Sequence, residues 1–276
     1  MDLSYSKLYP MGNSTVLIDC LDGEISRDKF KTVASVVMHE KYIPCEQVGF
    51  ICKPRDPKHV YRLEMMGGEL CVNALRTLAY LYYRRTNERS FLLESSGSDQ
   101  SFEMAITPED SVSLKFKMNI QHIPLSGNLG LVQLQGISHF VEEFPSLDLT
   151  TPELIMKRHA ALCDKYADYL KDVEAIGYVP YDKRDMIKIA PLVYVLETNT
   201  KIFETACGSG TVAVSIHEHL LSKSTDEFSI QQPSLATFKL QVQETTPNAY
   251  DVHLTSDVEL VSQGKIFLSQ ADLPST

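Results

Sequence analysis

No apolar run in these 276 residues approaches the ~20 needed to cross a bilayer as a helix, which excludes a membrane-spanning segment of that kind. Basic residues are in deficit: 26 Lys and Arg against 36 Asp and Glu leave a formal net charge of −10. Phosphate contacts need a basic footprint, so general binding to nucleic acid or to an anionic membrane surface is excluded, while a local pocket for a small anion is not. The opening residues, Met-Asp-Leu-Ser-Tyr-Ser-Lys, lack a basic stretch followed by an apolar one, so no secretory signal is expected. Low-complexity tracts, charge blocks and Pro/Gly linkers between modules are missing as well. There is no Cys-x-x-Cys, and His217 and His219 cannot share a helix face, so no metal site is expected. Those two histidines read as a solvated helix face. No lysine sits in a recognisable pyridoxal context, so a cofactor of that kind is not expected either.

What is present is ordinary globular composition, with 43% hydrophobic and 22% charged residues. The length suggests two domains or one large one, and a chain of this size buries roughly three quarters of its unfolded surface without disulfide or metal staples. Its six cysteines are therefore expected to be reduced thiols in a cytoplasmic protein.

Period-two alternation recurs along the chain. It is clear at Val112, Leu114, Phe116 and Met118, and again at Phe238, Leu240 and Val242. Further strands are expected at Val16–Asp19, Val48–Cys52, Val60–Met65, Leu192–Leu196, Val252–Thr255 and Lys265–Leu268. A helix is expected after Ser26, with Phe30, Val33 and Val37 on its apolar face, and a longer one from Thr151-Pro152-Glu153 to about Lys171. Strands outnumber helices and are interspersed with them, which gives an α+β or mixed α/β reading with long antiparallel sheets.

Two further helices begin alike. One follows Gly67-Gly68-Glu69-Leu70-Cys71-Val72-Asn73-Ala74, the other Phe203-Glu204-Thr205-Ala206-Cys207-Gly208-Ser209-Gly210-Thr211. Leu75, Leu78, Ala79 and Tyr82 form the inward face of the first, and Val212, Ala213, Ile216 and Leu220 that of the second. Strands surround both, so the chain reads as a weak internal duplication whose halves meet near residue 120.

A cysteine at a helix start is chemically loaded. The first turn leaves N–H groups unpaired and carries the positive end of the macrodipole, which favours thiolate and can also bind a carboxylate. Gly208 and Gly210 have no Cβ to keep a ligand off that backbone. One such cysteine suggests a nucleophile or a redox thiol. Two, one per half, suggest a pair facing each other across a cleft, where a thiolate removes an α-proton and a thiol delivers one from the opposite side. Against this stands the ordinary behaviour of free cysteine as a small buried hydrophobe. Cys20, Cys52 and Cys163 fit that description in apolar contexts, and Cys45 departs from it only slightly.

The paired segments resemble the C-G-N-G-A-R and A-C-G-[ST]-G motifs of the diaminopimelate epimerase-like superfamily, over essentially the whole chain. Met11-Gly12-Asn13 is similar to its G-[LM]-G-N segment, and Cys45-Glu46-Gln47-Val48-Gly49-Phe50 to its second substrate-binding segment. The resemblance implies an α+β fold of two pseudo-symmetric lobes, each a curved, mainly antiparallel sheet around a central helix. The expected lobes are residues 1–121 plus 265–276, carrying Cys71, and 122–264, carrying Cys207. It implies a cofactor-independent amino-acid racemase or epimerase, commonly a homodimer, with Cys71 and Cys207 as the acid and base. Asn13, Gln47, Val72, Asn73, Gly208 and Ser209 fall on substrate-binding positions.

Departures concern the substrate. The stretch Glu197–Ile202 has no arginine where diaminopimelate epimerases carry E-R-G, leaving only Lys201 as a cation. The family's G-N-P-H reads Gly136-Ile137-Ser138-His139, and a family asparagine falls on Met65. A zwitterionic distal arm left unpaired in a buried pocket costs about 1–3 kcal/mol per group, enough to reject diaminopimelate. A closer resemblance is to the histidine racemases of staphylopine-type metallophore biosynthesis, in Cys45–Ile51, in the short Pro191–Glu204 connection and in Glu204 itself. Val72 stands where a glycine is usual in those proteins, and Pro233-Ser234-Leu235 where a P-G-G turn is common. Glu46, His139 and Glu204 are candidate polar contacts for an imidazole, each with a structural ion pair or cap as its alternative. The expected activity is interconversion of L- and D-histidine. Racemisation of another polar amino acid, diaminopimelate epimerisation, and a thiol-redox or ligand-binding role on the same scaffold are the alternatives.

Overall fold

A computed structural model describes residues 1–269 apart from 24, 148–149, 172, 197–198 and 224–226. Residues 270–276 of the first expected lobe, and Glu197 and Thr198 of the arginine-less stretch, lie outside the described residues. The fold forms two compact units, Met1–Phe116 with Thr255–Thr276, and Lys117–Leu254.

The first unit is built from β1 (Asp2–Tyr9), β2 (Thr15–Asp19), α1 (Phe30–Val37), β3 (Gln47–Cys52), β4 (Tyr61–Met65), α2 (Val72–Thr86), β5 (Ser90–Ser95), β6 (Phe102–Ile106) and β7 (Val112–Asn119). Its strands pair in chain order: β1–β2 antiparallel, β2–β3 parallel, β3–β4 antiparallel, β4–β5 parallel, β5–β6 antiparallel. The second unit runs β8 (Gln121–Pro124), β9 (Leu129–Leu134), β10 (Ile137–Glu143), α3 (Pro152–Lys165), β11 (Ala175–Asp182), β12 (Ile187–Ile189), β13 (Leu192–Val195), β14 (Thr200–Phe203), α4 (Gly208–Ser222), β15 (Phe228–Gln231), β16 (Thr237–Thr246) and β17 (Ala249–Ser256), whose last two residues, Thr255 and Ser256, belong to the first unit. Here β9–β10 is antiparallel, β10–β11 parallel, β11–β12 antiparallel, β12–β15 parallel and β15–β16 antiparallel.

The same series of pairings thus occurs twice, and the internal repeat is a property of the topology. The second copy carries one insertion, the hairpin β13–β14, which pairs back on the first half of β11. The last strand, β18 (Glu259–Phe267), lies antiparallel to β1 along its whole length, as β8 does to β9. That pairing holds residues 259–267 on the first unit.

Each unit packs one helix on the outside of its sheet and holds another at its centre. In the first, α1 buries Phe30, Val33 and Val37 against β1–β3, with the rings of Phe30 and Phe50 stacked at 3.9 Å. In the second, α3 lays Ile155 and Leu162 on Phe140, Ile176 and Tyr178. Thr151 caps α3 by accepting the Leu154 N–H at 3.3 Å, with Pro152 in the first turn. The helix ends at Lys165 rather than near Lys171, because Tyr166 leaves helical geometry (φ −116°, ψ 26°) and sets its ring against Phe140.

The central helices α2 and α4 touch strands on several sides, α2 meeting β1 through β6. Enclosure explains their lack of a single inward face. Residues 73–79 of α2 are all buried, and so are residues 210–218 of α4. Tyr82 is only half-buried and Leu220 is exposed, because both helices emerge from their sheets in the last turns. His217, expected on a solvated face, is buried, its Nδ1 2.9 Å from Nε2 of His122; only His219 reaches solvent, and partly. No helix among the described residues is long and apolar enough to cross a membrane.

Candidate active site

The central helices start on their cysteines with the same backbone geometry. Cys71 caps α2 at φ −125°, ψ 105°, and Cys207 caps α4 at φ −123°, ψ 102°. Each thiol takes the place of the usual Ser or Asp cap oxygen: Cys71 Sγ accepts the Ala74 N–H at 3.4 Å and Cys207 Sγ that of Gly210 at 3.2 Å. Both segments are pinned two residues earlier. Ser96 Oγ donates to the Glu69 carbonyl at 2.8 Å, and Ser234 N–H donates to the Thr205 carbonyl at 2.9 Å. The first clamp requires glycine: at Gly97 (φ +68°), a Cβ would lie 2.3 Å from the backbone nitrogen of Leu70.

In the first unit, Cys71 Sγ donates to Gln47 Oε1 at 3.3 Å, from the helix start to the first residue of β3. Thr15 Oγ1 lies 3.4 Å from the same oxygen and 3.0 Å from the Asn13 carbonyl, so it joins Gln47 to the loop that holds Asn13. That loop turns through positive φ at Met11, Gly12 and Asn13. Arg76, fully buried on α2, donates to Asn73 Oδ1 at 2.9 Å, the Pro10 carbonyl at 3.1 Å and Ser256 Oγ at 2.6 Å. Cys71, Gln47 and the Asn13 carbonyl thus share one chain of contacts through Thr15, and Asn73 belongs to a second set around Arg76, with Val72 as the first residue of α2. Glu46 is exposed, and its carboxylate accepts the Ser14 N–H, which gives it a part in holding this loop.

In the second unit, Cys207 Sγ lies 3.5 Å from Ser209 Oγ, which lies 2.9 Å from Nε2 of His139. His139 is fully buried on β10, and burial holds its imidazole down to about 3. The Cys207 N–H donates to Gln232 Oε1 at 3.0 Å, and Gln232 Nε2 donates in turn to Thr211 Oγ1 at 3.0 Å. Gly208 is buried as the first residue of α4. Half-buried Glu204 follows β14, its N–H on the Pro191 carbonyl.

The sequence argument expects a lowered thiol pKa at a helix start. For Cys207 the balance goes the other way: burial, then the negative charge of Glu204, push the thiol up to about 12, against the opposing bonds from Ser209 and Gly210. Burial likewise pushes Cys45, Cys52 and Cys163 up to about 11, in keeping with packing roles. Met65 is buried at the end of β4, and Lys201 is exposed on β14 with its ammonium over the Tyr194 ring. Among the described residues, no group of three or more His, Cys, Asp or Glu side chains is placed to hold a metal ion. Sequence reasoning did not single out Arg76, Thr15 or Gln232. The position of Gln232 just before Pro233 was a signal, since that turn reaches the approach to Cys207.

Solved structures share this architecture. A phenazine biosynthesis protein of the PhzF family from Bacillus anthracis superposes with a TM-score of 0.69, covering 97% of this chain and 99% of that one at 12% identity. A hydroxyproline epimerase from Agrobacterium vitis superposes with a TM-score of 0.66, covering 96% and 91% at 11% identity. The doubled unit around two enclosed helices is the diaminopimelate epimerase-like fold, and the family that the chain matches makes it an isomerase of the racemase and epimerase class. Residues 2–267 match the family described as "Histidine racemase CntK N-terminal domain". A histidine racemase of Fusobacterium nucleatum subsp. nucleatum is 30% identical over 278 residues, 96% of this chain and 97% of that protein. The chain belongs to the histidine racemase family.

Proposed function

We propose that this protein interconverts L- and D-histidine without a cofactor, with Cys71 and Cys207 as the two acid–base groups. The observation that carries the reading is the repeated cap, a cysteine at the start of each central helix with matching dihedral angles and a backbone N–H on its sulfur. Thiolate and thiol are a suitable pair because one abstracts the α-proton while the other protonates the opposite face of the carbanion. One turnover transfers a proton from carbon to the first sulfur and from the second sulfur to carbon. The two thiols therefore exchange protonation states, and the next turnover in the same direction requires their reset.

The α-carboxylate gains negative charge as the proton leaves. Helix-start N–H groups of Val72, Asn73, Gly208 and Ser209 stabilise that charge, with Asn13 and Gln47 assisting. Histidine as the side chain rests on family membership and on the lack of an arginine for a distal carboxylate. Glu204 is the nearby carboxylate suited to an imidazole; it already acts on Cys207 through its charge. Resemblance to the staphylopine-type racemases supports a cytoplasmic homodimer that supplies D-histidine to an opine metallophore.

The test is a panel of L-amino acids incubated with the enzyme in D₂O, without added metal or cofactor. Histidine takes up α-deuterium and loses optical activity, and Cys71→Ala and Cys207→Ala each abolish racemisation. Activity surviving in both variants overturns the two-thiol reaction, and a faster reaction with another amino acid overturns histidine as substrate.

A further inference from the structure

The first unit carries a polar assembly that the two-thiol reaction does not use. His59 stands two residues before β4, Glu94 near the end of β5, and Ser101 directly before β6. Strand register brings them together. Arg62 of β4 pairs with Glu94, and Leu93 of β5 with Phe102 of β6, so Glu94 and Ser101 follow at the end of that ladder. The Val60 N–H on the Leu92 carbonyl, at 3.0 Å, fixes the approach to β4 beside β5. His59 Nε2 lies 2.8 Å from Ser101 Oγ, while Nδ1 lies 3.1 Å from Glu94 Oε1 and 3.3 Å from the Asp56 carbonyl. We propose that Ser101, His59 and Glu94 form a second reactive site, in which Ser101 is a nucleophile that accepts acyl groups from small activated esters.

The chemistry of each partner sets its role. A carboxylate and a carbonyl only accept, so the single proton of neutral imidazole sits on Nδ1. Nε2 is then an acceptor, and the Ser101 hydroxyl donates to it. That is the direction in which an imidazole takes up the proton of an attacking hydroxyl. Glu94 is a positioning residue that holds the ring in this tautomer, and it is itself held. Its two oxygens accept the Asp56 N–H at 2.8 Å and the Arg55 N–H at 2.9 Å, with Arg62 Nη1 at 3.5 Å. Burial opposes its charge, but those N–H groups and the charge of Arg62 help to outweigh it, so the carboxyl titrates below its ordinary value. Exposure rises toward the hydroxyl: His59 is 6% and Glu94 7% exposed, whereas Ser101 is half-buried. The nucleophile therefore meets solvent while the pair behind it does not.

In the acyl transfer, Ser101 Oγ bonds to the acyl carbon as its proton passes to His59 Nε2. The bond from that carbon to the leaving oxygen then breaks, and the leaving oxygen takes the proton from Nε2. An ester on Ser101 and a free alcohol result. Water that gives its proton to the same nitrogen hydrolyses the ester and restores the serine, so the ester and water are the only co-reactants.

The probe is p-nitrophenyl acetate. Folded protein is incubated with it and quenched in acid, and acetylated residues are assigned and quantified by tandem mass spectrometry, which separates Ser101 from the thiols and from the other serines. Ser101 is expected to acetylate fastest among the serines. His59→Gln slows that acetylation by about 10²–10⁴-fold, the usual worth of a general base. Glu94→Gln lowers the limiting rate by at least about tenfold and leaves unchanged the ester concentration that gives half of it, a split that loosening of the loop would not produce. An unmodified Ser101, a rate no greater than at other serines, or a rate unmoved in folded His59→Gln overturns the proposal. If His59→Gln does not fold, the selectivity of the wild-type protein and the Glu94→Gln split decide. Neither Cys71 nor Cys207 enters the readout, so failure here leaves the racemase reading untouched, and the reverse holds as well.

Discussion

Gly177 stands directly opposite His139 on the neighbouring parallel strand, and a Cβ built on it would lie 1.9 Å from the imidazole Nδ1. The ring of His139 occupies the space that any other residue at this position would fill. Because the ring is buried and bonded to Ser209, it cannot step aside cheaply. Gly177→Ala is expected to destabilise the protein by about 1–3 kcal/mol, the usual cost of overpacking a core. His139→Ala in the same chain should recover much of the loss. Thermal unfolding of both single variants and the double variant measures the coupling, and additive losses would show that the contact is not felt.

Ser209 links that histidine to Cys207 through a single hydroxyl. With a proton on Nε2, His139 donates to Ser209 Oγ, and the serine hydroxyl is left to donate to sulfur. Ser209→Ala keeps the backbone N–H assigned to the substrate carboxylate and removes the donor to a Cys207 thiolate. The variant is expected to lose about 10–100-fold in kcat, the worth of one hydrogen bond to a charged group, with KM little changed. A rise in KM at unchanged kcat would instead assign Ser209 to substrate binding. Initial rates in both the L-to-D and D-to-L directions make the distinction.

How much of this could be read from the chain depends on distance along it. The cysteine caps, the glycines after Cys207 and the strand alternation are local patterns, and the structure shows them where they were expected. The repeat was legible because its two helix starts carry similar residues. The His139–Ser209 link spans 70 residues and the His122–His217 pair 95, and sheet topology alone brings such partners together. Arg76 and His217 look like surface residues in a helical pattern. Their burial follows from enclosure of α2 and α4 by sheet, which no single-helix periodicity encodes. The hairpin β13–β14 was read as one strand and a connection, because its second strand is short and exposed.

Burial of neutral histidines makes stability depend on pH. His139 is held down to about 3 by burial, and His122 to about 4 by burial and by His217, against an ordinary value of 6.5. Below pH 6.5 the unfolded chain takes up protons that the folded chain refuses, so stability falls with pH and this contribution levels off only below about 3–4. For His139 the slope reaches about 1.4 kcal/mol per pH unit. Urea midpoints measured from neutral pH down to about 5 should decline, and His139→Leu should decline less steeply by about one proton. An identical slope in the variant would mean that His139 titrates normally in the folded protein.

Leu235 occupies a left-handed conformation, φ +69°, in the turn from Gln232 to Leu235, and the residue is 76% exposed. That conformation costs a residue with a Cβ about 1–2 kcal/mol, and the exposed side chain recovers little of it by packing. The turn is retained because it sets the Ser234 N–H on the Thr205 carbonyl and Gln232 on the Cys207 N–H. Leu235→Gly removes the strain and gives back part of the gain through the greater freedom of glycine in the unfolded chain. A net stabilisation of about 0.5–1 kcal/mol is expected, with racemisation unchanged. Leu235→Val, which adds a β-branch to the same backbone, should destabilise the protein. Chemical denaturation of the two variants against wild type checks the pair; a glycine variant no more stable than the parent would show that the leucine is not strained.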